Sequence, residues 1–143
     1  MTKLASIYQR KNALLILALH RTQAGFWVDD ELVTVLVEPT PDELGQAILA
    51  ALGRSRDGVP TPPPTARLDK PLLKAANVSS WATFMNLSKL VGVAAEDGSL
   101  KITPYRNLGR KEGFEPNPDL VYQPQLSAVE LGKLVSEMIV EMD

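Results

Sequence analysis

The chain has 143 residues, no cysteine and a net charge of −2. That length supports one domain over residues 1–143, with one proper core rather than two large ones. The lack of thiols excludes a disulfide framework, Cys-ligated zinc and a cysteine nucleophile; it suits a reducing compartment, so a cytoplasmic location is expected.

Charge is segregated along the chain. Residues 1–21 hold four basic groups and no acidic ones, and 22–53 hold six acidic groups and no Lys or Arg. Residues 54–111 hold ten basic against four acidic groups, and 112–143 seven acidic against one basic. Such blocks bear on fields and partners rather than on fold.

The first strong element is Ala13–Leu19, ALLILAL, behind Lys3, Arg10 and Lys11. It is too short to span a membrane, His20-Arg21 closes it at once, and TQAGF offers no small-x-small cleavage site. It reads as a buried strand, joined by a Lys11-Asn12 turn to the short run SIYQR. WVDDELV follows, and its three consecutive acids are expected to be solvated on a strand-to-strand turn.

Thr40-x-x-Glu43 is a capping box, in which hydroxyl and carboxylate satisfy free backbone N–H groups, and Pro41 suits the first helical position. Leu44, Ala47, Ile48, Ala51 and Leu52 then recur at helical spacing, predicting an amphipathic helix. Pro60, Pro62, Pro63 and Pro64 favour an extended surface crossing. In PLLKAANVSSWATFMNL, Pro71 marks a helix start, and a Ser79/Ser80 cap precedes Trp81, Phe84 and Met85 on one face.

The second half repeats the first. KLVGVAA and SLKITPYRN parallel SIYQR and ALLILALHR, with Asp97-Gly98 as a hairpin turn. Gly113-Phe114 and Leu120-Val121 match Gly25-Phe26 and Leu32-Val33, with one residue lost before the second cap. Ser127-x-x-Glu130 repeats the capping box, and Leu131, Leu134, Val135, Met138 and Ile139 repeat the stripe. Glu-Leu-Gly thus occurs at the same place in both helices, although glycine inside a helix costs about 1 kcal/mol relative to alanine. Gly45 and Gly132 are expected to let each helix approach the sheet or a neighbouring helix closely. The fold class is α+β: two pseudo-repeated βββα units, roughly 5–54 and 87–142, form one mainly antiparallel sheet with packed helices. Residues 55–86 supply the Pro-rich crossing and a short helical insert.

Catalytic, metal and cofactor sites are not expected. His20 is the single histidine and reads as a strand-end residue with a satisfied ring. No phosphate loop, nucleophile elbow, Walker or HExxH pattern occurs. Lys101, Arg106, Arg110 and Lys111 around Tyr105 could track a phosphate backbone, although the chain as a whole is acidic. A small nucleic-acid-binding domain or enzyme using residues 101–111 and His20 is therefore the alternative reading. The leading candidate site is acidic: Trp27 as an aromatic anchor, with Asp29, Asp30, Glu31 and Glu38 to steer a basic protein.

The ordered set HRTQAGF, ELGQAILAALGRSRDGVP, LLKAANVSSWATFM and RNLGRKEGFEPNPD resembles the immunity proteins of bacterial contact-dependent growth inhibition systems (CdiI-type), roughly from Ser6 to Met138. The resemblance implies a small cytoplasmic protein without enzymatic activity or cofactor. It implies one partner, the C-terminal toxin domain of a cognate effector, in many cases a nuclease, and no direct contact with nucleic acid or membrane. It transfers no binding residues, so Trp27, Asp29, Asp30, Glu31 and Glu38 rest on charge and aromaticity alone.

Overall fold

The computed structural model describes residues 2–142. Three strands, β1 (Lys3–Arg10), β2 (Ala13–Arg21) and β3 (Trp27–Val37), lead into helix α1 (Pro41–Arg54). Two short helices, α2 (Lys70–Ala75) and α3 (Trp81–Met85), form the insert. The second half follows with β4 (Lys89–Glu96), β5 (Ser99–Asn107), β6 (Phe114–Pro116), β7 (Val121–Pro124) and α4 (Ala128–Glu141).

All seven strands join one antiparallel sheet in the order β3-β2-β1-β4-β5, with β6 and β7 both paired to β5. The doubling is visible as a pseudo-twofold axis. An offset of 86 carries β1 onto β4 and β2 onto β5, and in the β1–β4 ladder Ser6 faces Gly92, again 86 apart. The axis therefore passes through that pair. Beyond β2 and β5 the register gives an offset of 87: Arg21 faces Trp27 where Asn107 faces Phe114, and Ile16 faces Thr34 where Ile102 faces Val121. The caps at Thr40 and Ser127 are also 87 apart. No residue is lost before the second cap. The extra residue falls in the loop after β5, and Phe114 is the counterpart of Trp27 rather than of Phe26.

The continuous apolar run of β2 follows from burial on both faces. Leu14, Ile16 and Ala18 meet Leu44, Ile48, Leu131, Val135 and Ile139 beneath α1 and α4. Leu15 and Leu17 face the other way, with Tyr8 and Leu90, against Leu72 and Leu73 of α2 and Phe84 of α3. Aromatic edges tie the insert to the sheet: Tyr8 and Phe84 have ring centroids 5.1 Å apart at 78°, and Trp81 stacks on Phe84 at 5.3 Å. Both capping boxes form, with Thr40 and Ser127 side chains accepting from the Glu43 and Glu130 N–H groups. The returning carboxylates accept from the Thr40 and Ser127 N–H groups; the Thr40 backbone and hydroxyl lower Glu43, and the Ser127 hydroxyl and backbone lower Glu130, from the ordinary carboxylate value.

The two helical glycines meet each other's helix rather than the sheet. A Cβ on Gly45 would lie 1.7 Å from the Ala128 carbonyl oxygen, and one on Gly132 would lie 1.7 Å from that of Pro41. The crossing is reciprocal, as the pseudo-twofold requires. Only a residue without a Cβ permits it.

Candidate functional site

The stretch WVDDELV does not form a turn. It lies within β3, an eleven-residue strand at the sheet's edge. β-Propensity of Trp27, Val28 and Val33 and pairing with the buried β2 outweigh the solvation preference of three acids. The cost is taken up by a bulge: Leu19 pairs with Asp29 and Leu17 with Val33, so Asp30, Glu31 and Leu32 crowd opposite Ala18. A bulge re-aims side chains, and here it sends the three acids to three environments.

Asp30 turns inward and is buried beside His20. Its Oδ2 accepts from Arg54 Nε at 2.8 Å and Nη2 at 2.7 Å, and its Oδ1 lies 3.3 Å from His20 Nε2. Burial alone would push the carboxyl up, but the hydrogen bonds and charges of Arg54 and His20 outweigh it and hold it below the usual range. Arg54 sits in the last turn of α1, where a cation also complements the helix dipole.

His20 Nδ1 accepts the Arg56 N–H at 3.1 Å, which places the neutral ring's proton on Nε2, towards Asp30. Nδ1 is thus hydrogen-bonded, whereas Nε2 is buried 3.3 Å from the Asp30 carboxylate, within ion-pair distance but without a well-aligned hydrogen bond. Ser55 is close by, but its Oγ donates to the Leu19 carbonyl at 2.5 Å and accepts the Leu4 N–H at 3.1 Å. The cluster fastens the segment after α1 to the end of β2, where Thr22 and Val59 form a parallel bridge.

Asp29 points to the opposite face and is partly buried. Its carboxyl is pushed up to about 6, first by burial and then by Asp69 at the start of α2. Burial, with Asp29 and Tyr105, pushes the Tyr8 hydroxyl up as well. Glu31 is exposed, Glu38 lies exposed just past the strand with φ 47°, and Trp27 is partly buried opposite Arg21. The five candidate residues therefore share one strand and its exit, but only Glu31 and Glu38 present free charge to solvent.

Leu32, Val35 and Val37 were not among the candidates, yet they stand exposed along the same edge. The run LVTVLV is apolar at all but Thr34, so nothing in it signals which of its residues stay exposed. Lys101, Arg106, Arg110 and Lys111 are all exposed, spread from β5 into the loop before β6. Among the described residues, no group of three or more His, Asp or Glu is arranged to hold a metal, and no helix is long and apolar enough to cross a membrane.

The fold has solved relatives. The whole chain aligns with 96% of a protein of unknown function from Neisseria meningitidis, at a TM-score of 0.81 and 19% identity. It also aligns over its whole length with 98% of a chain in the CdiA-CT/CdiI toxin and immunity complex from Yersinia pseudotuberculosis, at a TM-score of 0.77 and 14% identity. At these identities the likeness is one of fold. Neither a protein-family model nor a curated protein matches the sequence.

Proposed function

We propose that this chain is a cytoplasmic immunity protein that binds and neutralises the C-terminal toxin domain, a nuclease, of a cognate contact-dependent inhibition effector. The observation that carries this reading is the full-length fold likeness to a chain of a toxin and immunity complex. The single histidine, His20, is buried against Asp30 and Arg56 rather than open to a substrate, which agrees with a binding role.

The docking surface in this reading is the β3 edge. An edge strand offers a row of backbone donors and acceptors to a partner, and alternate side chains supply specificity. Leu32, Val35 and Val37 add apolar area, Trp27 anchors, and Glu31 and Glu38 steer a basic nuclease surface. Asp29 contributes a desolvated charge, while Asp30 holds the bulge in place from inside. A specific interface of this kind buries about 1,600 Å² in total, and nanomolar affinity needs about −12 kcal/mol, so packed anchors must accompany charge.

The test is co-expression with candidate toxin domains, scored by survival. Rescue from one toxin supports the reading, and failure to rescue from any would refute it. With the toxin in hand, Glu31→Lys with Glu38→Lys is expected to slow association, most strongly at low salt; an unchanged rate would move the interface off this edge.

A further inference from the structure

The pseudo-twofold sets the His20–Asp30–Arg54 cluster against a second site with the same backbone. The β5 side carries the same bulge as the β2 side: Tyr105 pairs with Pro116 and Ile102 with Val121, leaving Asn117–Leu120 opposite Thr103 and Pro104. Offsets of 86 on β5 and 87 beyond it make Arg106 the counterpart of His20, Asn117 that of Asp30, and Glu141 that of Arg54. Ala50 becomes Glu137. The carboxylate that held a guanidinium is now an amide, and the guanidinium's own place is taken by a carboxylate.

The consequence is an open space. Where the first half is filled by Arg54 and closed by residues 55–59, the second half has a cleft of about 500 Å³. Arg106, Asn117, Asp119, Glu137 and Glu141 line it, over an apolar floor that includes Met138. Three carboxylates against one guanidinium leave the cleft with a net charge of −2, and Arg106 makes no ion pair with any of them within 4 Å among the described residues. It also opens beside the C-terminal end of α4, where a cation is favoured and where Lys89 Nζ already donates to the Ile139 carbonyl at 3.2 Å.

We infer that this cleft receives an arginine side chain from the toxin domain, its guanidinium taking between Glu137, Glu141 and Asp119 the role that Arg54 plays for Asp30 in the other half. A guanidinium suits the site better than an ammonium. It is planar and weakly hydrated enough to lie on methionine, and its fork can serve two carboxylates at once. Arg106 on the facing wall repels a second cation, which limits the cleft to one. The identity of the partner rests on the immunity reading; the chemistry of the cleft does not.

Two experiments separate these parts. The first is a ¹H–¹⁵N NMR titration of the full chain with N-acetyl-arginine amide and, in parallel, N-acetyl-lysine amide, on wild type and on Glu137→Gln/Glu141→Gln. Both glutamates are exposed, so the double variant keeps its fold, checked by its melting temperature. The expected result is millimolar binding with shifts confined to the cleft walls, Tyr105–Asn107, Asn117–Val121 and Leu134–Met142, weaker for the lysine probe and weakened about fivefold or more in the variant. No localised shift, equal binding of both probes, or undiminished binding by the variant overturns the site. The second measures toxin affinity: loss of about tenfold or more in the double variant supports the arginine as the toxin's. Unchanged affinity overturns that occupant, while protection by the wild type still upholds the immunity reading.

Discussion

Replacing Gly45 with alanine should destabilise the protein although alanine is the better helix former. The added Cβ would lie 1.7 Å from the Ala128 oxygen, 2.4 Å from its carbonyl carbon and 2.8 Å from its Cα. Ordinary contact needs well over 3 Å, so α1 and α4 must separate by about 1.5 Å at the crossing, and the obstacle is backbone rather than a side chain that can swing away. Separation loosens Leu44, Ile48, Leu131 and Val135, which are fully buried between the helices and the sheet. Overpacking against rigid groups costs about 3 kcal/mol or slightly more, helix propensity returns about 1, and the net loss is about 2 kcal/mol. For a chain of this length that lowers the melting temperature by roughly 6–8 °C. Gly53, in the same helix, has nothing within 4 Å of its Cβ position, so Gly53→Ala should raise stability by up to about 1 kcal/mol. Gly132→Ala should behave like Gly45→Ala, and the double variant should lose less than the sum, because both changes force the same separation. Urea denaturation and thermal melts of the four variants decide the matter. If Gly45→Ala is as stable as Gly53→Ala, the close crossing is not what retains the glycine.

Other consequences concern the acids of β3. Asp30→Ala strips the buried His20 Nε2–H and the half-exposed Arg54 of their shared partner; because Arg54 can turn to water, the cost is expected near 2 kcal/mol by urea denaturation, below that of a fully buried pair. Arg54→Ala should be at least as damaging to the segment 55–59, and amide exchange at Arg56 and Val59 should rise in both. Asp29 has the opposite sign. Its carboxyl ionises near 3.8 in the unfolded chain and near 6 in the folded one, so the folded state binds more protons between these values and stability falls as pH rises through them, by about 3 kcal/mol in all. Asp29→Asn should abolish that fall and raise the melting temperature at neutral pH; a persisting limb between pH 4 and 6 would refute the assignment. Asp30, Glu43 and Glu130 are held below their ordinary values. Their contribution is present above the unfolded pKa and lost as pH falls through the folded one, so a separate decline is expected at lower pH and should survive in Asp29→Asn.

The candidate site was legible only in part. Trp27, Asp29, Asp30, Glu31 and Glu38 are collected on one strand and its exit, as their closeness in sequence suggests. Their separate environments are not written locally. Arg54 lies 24 residues from Asp30, and nothing in WVDDELV signals that a bulge will turn Asp30 towards α1 and Asp29 towards α2. The acidic cleft was harder still to see. Its walls come from β5, the bulge after β6 and the far end of α4, and its meaning depends on comparison with a filled counterpart across an axis that only the ladder register defines.

What the sequence determined by itself is what short-range physics governs. The capping boxes at Thr40 and Ser127, the Lys11-Asn12 and Asp97-Gly98 turns, the strand ALLILALHR and the stripes of α1 and α4 depend on neighbours within a few residues, and each forms where those residues stand. The repetition of these signals established the doubling, and the paired Glu-Leu-Gly foretold a close approach. Only the tertiary structure decided what is approached, because Gly45 meets Ala128 through the packing of two helices 83 residues apart in sequence. It likewise decided that three adjacent acids part company, since burial and pairing across the sheet act on each side chain separately. In the same way it left one half's ion pair closed and its counterpart open, a difference carried by side chains that meet only when the sheet has formed.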